Sequence, residues 1–166
     1  MSTATSRVSG SLLVLLGAWG GLVPFIGPYF GYFYGPDKTW IFNSDRLWLS
    51  VLPAAAAFVG GLIVLAAPRA SAPAALLAAL GGVWFVVGAP VLAVVKPGMG
   101  PGAPGTAPGA MFGAATMHLL ENIGFFSGVG VVIVFFGALA LGRSGVTRIE
   151  PDGLEAEPVD AFNPAF

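Results

Sequence analysis

Charged side chains are scarce in this sequence of 166 residues. They make up 9% of it, whereas soluble globular domains carry roughly 25%, and hydrophobic residues make up 56%. Seven basic and eight acidic residues give a net charge of -1, so the chain lacks the basic surface that nucleic acid requires and the polybasic segment that binds anionic lipid heads. The composition predicts a protein surrounded by a lipid bilayer that binds no nucleic acid.

Cysteine is absent altogether. Its absence excludes disulfides, thiolate nucleophiles, cysteine-ligated zinc and iron–sulfur clusters. The single histidine cannot provide both axial ligands of a bis-histidine haem within one subunit. Glycine-rich phosphate loops followed by lysine and a hydroxyl residue are also missing. We therefore expect a non-enzymatic protein with no catalytic residues, no cofactor and no bound metal.

Four segments are long and apolar enough to cross a bilayer, since a helix needs about 20 apolar residues to span a hydrocarbon core of about 30 Å. Ionisable residues flank each segment, where they cost the least free energy. The sequence predicts an all-α integral membrane protein, a four-transmembrane-helix bundle with a membrane domain over residues 8–142. The predicted spans are residues 8–30, 47–67, 74–95 and 122–141.

The first segment has a competing interpretation as a cleaved signal peptide. Arg7 precedes its apolar core, and Leu16-Gly17-Ala18 loosely resembles a cleavage site. The apolar character continues for twelve residues beyond that point, which a signal peptide does not require. A transmembrane span is the favoured interpretation.

The distribution of lysine and arginine predicts the orientation. We expect both termini in the cytoplasm (N-in, C-in) and the protein in the plasma (inner) membrane. Residues 1–7 then form a short cytoplasmic N-terminus, residues 96–117 a flexible outer loop rich in glycine and proline, and residues 143–166 a disordered tail, whose last residues could dock a partner. The inner basic residues are Arg7, Arg69, Arg143 and Arg148, against Lys38, Arg46 and Lys96 outside.

Small residues recur at a spacing of four, which places them on one helical face and allows two helix backbones to approach closely. They predict a compact bundle and favour an oligomer or a complex with other membrane proteins. The leading hypothesis is therefore an accessory, scaffold or assembly subunit. The pairs include Gly17 and Gly21, Ala56 and Gly60, Ala57 and Gly61, Ala78 and Gly82, and Gly124 and Gly128.

Four prolines support a second hypothesis, a transporter or channel component. Pro24, Pro28, Pro53 and Pro90 all lie toward the predicted outer ends of spans, where each removes a backbone donor and bends its helix. Helices that splay there would surround an outer vestibule. The spans carry no acid or base at mid-membrane depth, however, which argues against a proton-driven transporter.

A third hypothesis is a membrane enzyme or metal site in an outer polar cluster. His118, Glu121 and Asn122 share one face if the fourth helix begins early, and the first connection contributes Asp37, Lys38, Asp45 and Arg46. One histidine and one glutamate supply two of the three or four ligands that zinc needs. The simpler interpretation is polar capping at the membrane boundary, with Glu121 paired to Arg46 or Lys38. Ser127 is about 13.5 Å along the helix from His118, too far for a catalytic dyad.

Aromatic residues concentrate in the first connection, at both of its membrane boundaries. They are typical of the belt that lies at the level of the lipid headgroups, although an exposed aromatic cluster also suits a platform for lipid, carbohydrate or peptide. Asn43 and its neighbours are typical of a helix N-cap at the start of the second span. The interface aromatics are Tyr29, Tyr32, Tyr34, Trp40 and Trp48.

The run GAWGGLVPFIGPYFGYFYGPDKTWIF, followed by DRLWLSVLPAAAAFVGGL, resembles a group of small four-span membrane proteins from high-GC bacteria. The resemblance covers residues from about 17 to 142. It implies a membrane location, and it implies no activity and no site residues.

Overall fold

A computed structural model describes residues 2–30, 32, 40–95 and 114–146 of the chain. The longer helices are α1 (Ser2–Ile26), α3 (Leu52–Ala66), α4 (Ser71–Val95), α5 (Ala114–Phe125) and α6 (Ser127–Val146). Short segments join or extend them: a 3₁₀ turn at Gly27–Phe30, the one-turn helix α2 (Ser44–Arg46), a π-helical turn at Leu47–Val51 and a 3₁₀ turn at Pro68–Ala70.

Four helical spans are long and apolar enough to cross a membrane, which confirms the predicted fold class. They cover Arg7–Phe30, Ser44–Ala66, Ser71–Leu92 and Asn122–Arg143, and are called spans 1 to 4. Helices are the natural outcome here because lipid offers no hydrogen-bond partner to the backbone, so each segment must satisfy its own amides and carbonyls. The protein is therefore a multi-pass membrane protein.

The spans form a closed four-helix bundle. Each span packs on the next one along the chain, and span 4 returns to pack on span 1. The cap end of the bundle is the end that carries Gly27–Phe30, residues 40–46 and α5, and the tail end is the opposite one, with Pro68–Ala70. Under the predicted orientation the cap end faces outward.

Apolar side chains fill the interior along the length of the bundle. The central cluster sits between all four spans, a second cluster lies at the tail end, and Val23 and Phe125 pack together at the cap end. Large apolar side chains such as Leu15, Leu80 and Phe135 point outward, as expected where lipid is the solvent. The central cluster consists of Leu13, Ala54, Ala57, Ala78, Phe85, Val129 and Ile133.

Glycines set the close approach of neighbouring spans. A methyl group added to Gly17 would lie 2.6 Å from the backbone nitrogen of Phe58, and one added to Gly130 would lie 2.6 Å from the carbonyl oxygen of Gly82. Gly61 meets span 1 in the same way, with an added methyl 2.8 Å from the backbone nitrogen of Val14. The small-residue faces are thus used between spans of the same chain, which fits the predicted compact bundle without requiring a second copy.

Departures from α-helical geometry concentrate at the cap end. Span 1 ends in the 3₁₀ turn at Gly27–Phe30, span 2 opens with the π-helical turn at Leu47–Val51, and α5 and α6 are separated at Phe126. Pro24 lies three residues before the first of these and Pro53 directly follows the start of α3. The tail halves of the same spans continue as regular α-helix.

Candidate functional site

The start of span 2 is fixed by an N-cap and a buried arginine. The side-chain oxygen of Asn43 accepts a hydrogen bond from the backbone N–H of Arg46 at 2.8 Å, which confirms the predicted cap. The Arg46 side chain is only 1% exposed. Its Nη1 donates to the carbonyl oxygen of Ile41 at 2.8 Å, and its Cζ lies 5.7 Å from the centre of the Phe25 ring. Arg46 therefore ties the first connection to span 1 from inside the bundle.

The predicted outer polar cluster is described only in part. Asp45 is half-buried beside Arg46, and Asn122 is exposed on α5. Helix α5, which leads into span 4, begins at Ala114. His118 is therefore on the same helix as Asn122. Asp37 and Lys38 lie outside the described residues, as do the side chains of His118 and Glu121, so the convergence of this cluster stays a prediction.

Ser127 lies at the break between α5 and α6 and bonds locally. Its Oγ is 3.3 Å from both the backbone oxygen and the side-chain oxygen of Asn122. Serine side chains that hydrogen-bond to the backbone of the preceding turn often accompany a bend in a helix. Among the described residues, no three histidines, aspartates or glutamates come together as a possible metal site.

Two aromatic side chains, Trp19 of span 1 and Tyr32 just after it, hold α5 in place. Tyr32 stacks on Phe125 with ring centres 4.5 Å apart, and its hydroxyl donates to the carbonyl oxygen of Leu120 at 3.0 Å. The indole N–H of Trp19 donates to the carbonyl oxygen of Gly124 at 3.1 Å. Tyr32 was predicted as a headgroup-level aromatic, and the structure gives it this additional role between helices.

A third aromatic donor completes the π-helical turn. The N–H of Leu52 bonds to the carbonyl of Leu47 across this wider turn, so the next carbonyl, that of Trp48, faces Pro53, which has no N–H. The indole N–H of Trp84 on span 3 donates to the Trp48 carbonyl at 2.8 Å. Sequence reasoning missed Trp19 and Trp84, although a tryptophan N–H within an apolar span usually finds a hydrogen-bond acceptor.

Three of the remaining predicted aromatics, Tyr29, Trp40 and Trp48, are exposed at the cap end. Tyr29 is 64% exposed and Trp48 43% exposed, as suits a headgroup belt. Trp40 is 63% exposed and stacks on Phe25 with ring centres 5.9 Å apart. Its φ of 57° lies in the left-handed region, which a bulky side chain rarely adopts. Tyr34 lies outside the described residues.

An apolar trough of about 470 Å³ runs along the outside of the bundle between spans 1 and 2. Small residues form its floor, among them Gly21 on span 1 and Ala55 on span 2, and larger side chains such as Leu22 and Phe58 form its sides. Trp40 and Phe42 lie at its cap end. It is open to the surroundings along one side, so an apolar molecule dissolved in the bilayer has direct access to it.

Comparisons with known proteins give no match: no family model fits the chain, and neither a curated protein nor a solved structure resembles it detectably.

Proposed function

We propose that this protein is a non-enzymatic subunit of the plasma (inner) membrane that acts through its surfaces, as an accessory, scaffold or assembly partner of other membrane proteins or of its own copies. The observation that carries the proposal is the apolar packing at the centre of the bundle, where buried side chains from all four spans meet. A transporter or channel needs a path through the molecule, whereas an assembly subunit needs a rigid body with an outward face.

Phe85 is the centre of that interior. It is 1% exposed and its ring tip would lie 2.6 Å from a methyl group added to Gly20 on span 1, while its Cβ would lie 2.9 Å from one added to Gly130 on span 4. Ile133, with no exposed surface, packs in the same cluster. In the described residues the buried polar side chains are Ser9, Arg46 and Ser50, and none of them belongs to this central layer. Such packing favours a function at the surface.

The position of the small residues sharpens where a partner would bind. Gly17, Gly61 and Gly82 are already in contact with neighbouring spans, so they are not available to a second protein. A partner would instead contact the large apolar side chains that point outward, such as Leu15, Leu62 and Leu80, or the two ends of the bundle. The proposed interface is therefore one face of large side chains rather than a glycine motif.

A cysteine scan tests this proposal, because the chain has no cysteine of its own. Single cysteines at Leu15, Leu62, Leu80 and Phe135 would present one thiol per span, since all four side chains are exposed. After cross-linking in native membranes with a bifunctional reagent that partitions into the lipid, we expect a discrete product from one face and none from the others. Ala57→Cys, at a fully buried position, is the control that should not react.

The outcome that contradicts the proposal is equally definite. If no face gives a product and the purified protein is strictly monomeric in nanodiscs, the protein is not an assembly subunit. Identification of the cross-linked species by mass spectrometry separates a second copy of the chain from a different protein.

A transporter or channel component is the second candidate, favoured by the non-α turns that spans 1, 2 and 4 share at the cap end. Broken or π-helical segments recur at transport and other functional sites. Flux of small ions and solutes from proteoliposomes distinguishes the two candidates. The leading proposal predicts flux equal to that of empty liposomes, and protein-dependent flux that increases in Phe85→Ala would replace it with the second.

A further inference from the structure

We propose that the trough between spans 1 and 2 binds one acyl chain of a membrane phospholipid, from the leaflet at the cap end. This inference goes beyond the proposed function and does not depend on it. It rests on the chemistry of the trough, on its length, and on the residue that covers its end.

The trough is built to accept a slender apolar chain. Gly17 and Gly21 of span 1 face Ala54 and Ala55 of span 2 along its floor, and an added methyl on Gly21 would already lie 3.1 Å from the Ala54 side chain. The glycine and alanine side chains on the floor are thus too small to fill the trough. Its volume of about 470 Å³ is within the ~300–1,000 Å³ typical of small-molecule pockets.

The length of the trough matches one leaflet. On span 1 its lining extends from Gly17 to Phe25, and on span 2 from Val51 to Val59, which is about 12 Å along each helix at 1.5 Å per residue. Half of a hydrocarbon core of about 30 Å is about 15 Å. Toward the tail end the Leu65 side chain lies over Gly10, at 2.7 Å from an added methyl, so a larger side chain occupies the space between the spans there.

These dimensions argue against a protein occupant. A transmembrane helix of a partner would run through both leaflets, whereas the lining of the trough extends for about 12 Å along each span. An acyl chain does not need the second leaflet. The trough is also open sideways to the bilayer, where acyl chains are the solvent.

Trp40 covers the cap end of the trough at an energetic cost. Its left-handed backbone is strained, and such strain concentrates at ligand clamps and other functional positions. The conformation stacks the indole on Phe25, so that both rings line the trough. An indole at this level has an apolar face for the chain and an N–H for the ester region of a lipid.

The charge near this end adds little to the binding. The Arg46 guanidinium lies 5.7 Å from the centre of the Phe25 ring, but it is buried and does not face a lipid phosphate. Apolar contact along the chain therefore supplies most of the affinity, and we expect weak discrimination between headgroups.

A photoactivatable phospholipid tests the inference. The purified protein is reconstituted in phosphatidylcholine nanodiscs that contain a small fraction of phospholipid with a diazirine in the middle of one acyl chain. After irradiation, peptide mass spectrometry should find the adducts concentrated on residues 17–25 and 51–59. Ala55→Trp, at an exposed position on the floor, should reduce these adducts roughly tenfold.

Two further variants keep the test decisive. Val87→Trp places the same indole on a lipid-facing position of span 3 in the same half of the bundle, and it should leave the adducts unchanged. Ala18→Phe fills the trough from span 1 and should reduce the lipid adducts in the same way. It replaces Ala55→Trp in the test if that variant does not fold. Adducts spread evenly over all four spans, or adducts that survive both filling variants, would overturn the inference.

A second copy of the chain is the remaining occupant to test. Ala55→Cys should stay monomeric under oxidising conditions, whereas a disulfide-linked dimer without lipid adducts would assign the trough to a protein interface. The result is separable from that of the cysteine scan: a protein that is monomeric, gives no product in the scan and is labelled in the trough contradicts the assembly proposal and supports this one.

Discussion

Trp19, Tyr32 and Trp84 each donate a hydrogen bond to a backbone carbonyl of another helix. A carbonyl left without a donor in lipid costs several kcal/mol, and the Trp48 carbonyl is such a case because Pro53 cannot donate to it. The indole N–H of Trp84, 36 residues away in sequence, donates a hydrogen bond to this carbonyl and so avoids that cost. At the scale of single residues, aromatic donors make the irregular turns at the cap end possible.

Replacing Trp84 by phenylalanine should destabilise the fold, because the Trp48 carbonyl loses its donor while the aromatic packing is retained. We expect the free energy of unfolding to fall by roughly 0.6–2 kcal/mol, the range for hydrogen bonds between membrane helices. The measurement is reversible unfolding in mixed micelles, followed by circular dichroism.

Two comparisons isolate the hydrogen bond in that experiment. Trp48→Phe makes the same chemical change at an exposed indole and leaves the Trp48 carbonyl in place, so its effect should be much smaller. Pro53→Ala supplies a new N–H, so Trp84→Phe should cost less in that background. Equal costs in both backgrounds would mean that Trp84 contributes packing alone.

At the scale of helices, the pair α4 and α6 shows how glycine sets the distance between spans. Gly82 and Gly130 face each other so closely that a methyl group on either would lie within 2.8 Å of the other's carbonyl oxygen. Contacts of this kind between backbones replace the hydrophobic effect, which has little force between helices in lipid.

Gly130→Ala should therefore destabilise the bundle, since the new methyl group must push α6 away from α4. Overpacking of a filled interior costs about 1–3 kcal/mol, and thermal unfolding in detergent measures it. Gly142→Ala is the matched control on the same helix, where an added methyl meets nothing within 4 Å. Helix propensity alone predicts that Gly142→Ala is neutral or slightly stabilising, so a loss of stability similar to that of Gly130→Ala would contradict the packing argument.

The four spans were predictable from the sequence because long apolar runs carry their own evidence of membrane crossing, and Asn43 carried the evidence of a cap. The π-helical turn at Leu47–Val51 was not predictable, since its Trp48 carbonyl accepts its hydrogen bond from Trp84 on another span. The partners of the small residues were not predictable either. A spacing of four defines a face of a helix, but it does not say whether another span of the chain or a second protein lies opposite.

At the scale of the whole molecule, the two halves of the bundle differ. In the tail half the spans are regular α-helices, whereas the cap half has a 3₁₀ turn, a π-helical turn, a helix break and a buried arginine. The trough extends from this second half to the middle of the bundle. The sequence also placed the candidate polar cluster at this end. It did not predict that Arg46 is buried, because a basic residue at the start of an apolar helix ordinarily indicates the membrane boundary.

Which half faces outward decides which leaflet supplies the proposed lipid, and single cysteines measure it. Ser44 is exposed at the cap end and Ala70 lies in the turn at the tail end. For the predicted orientation, a membrane-impermeant maleimide should label Ser44→Cys in intact cells and Ala70→Cys only after permeabilisation, because the reagent stays in water and does not cross the bilayer. Val131→Cys, outward-facing within span 4, should remain unlabelled in both conditions. Labelling of Ala70→Cys in intact cells, with Ser44→Cys protected, would reverse the orientation and assign the trough to the inner leaflet.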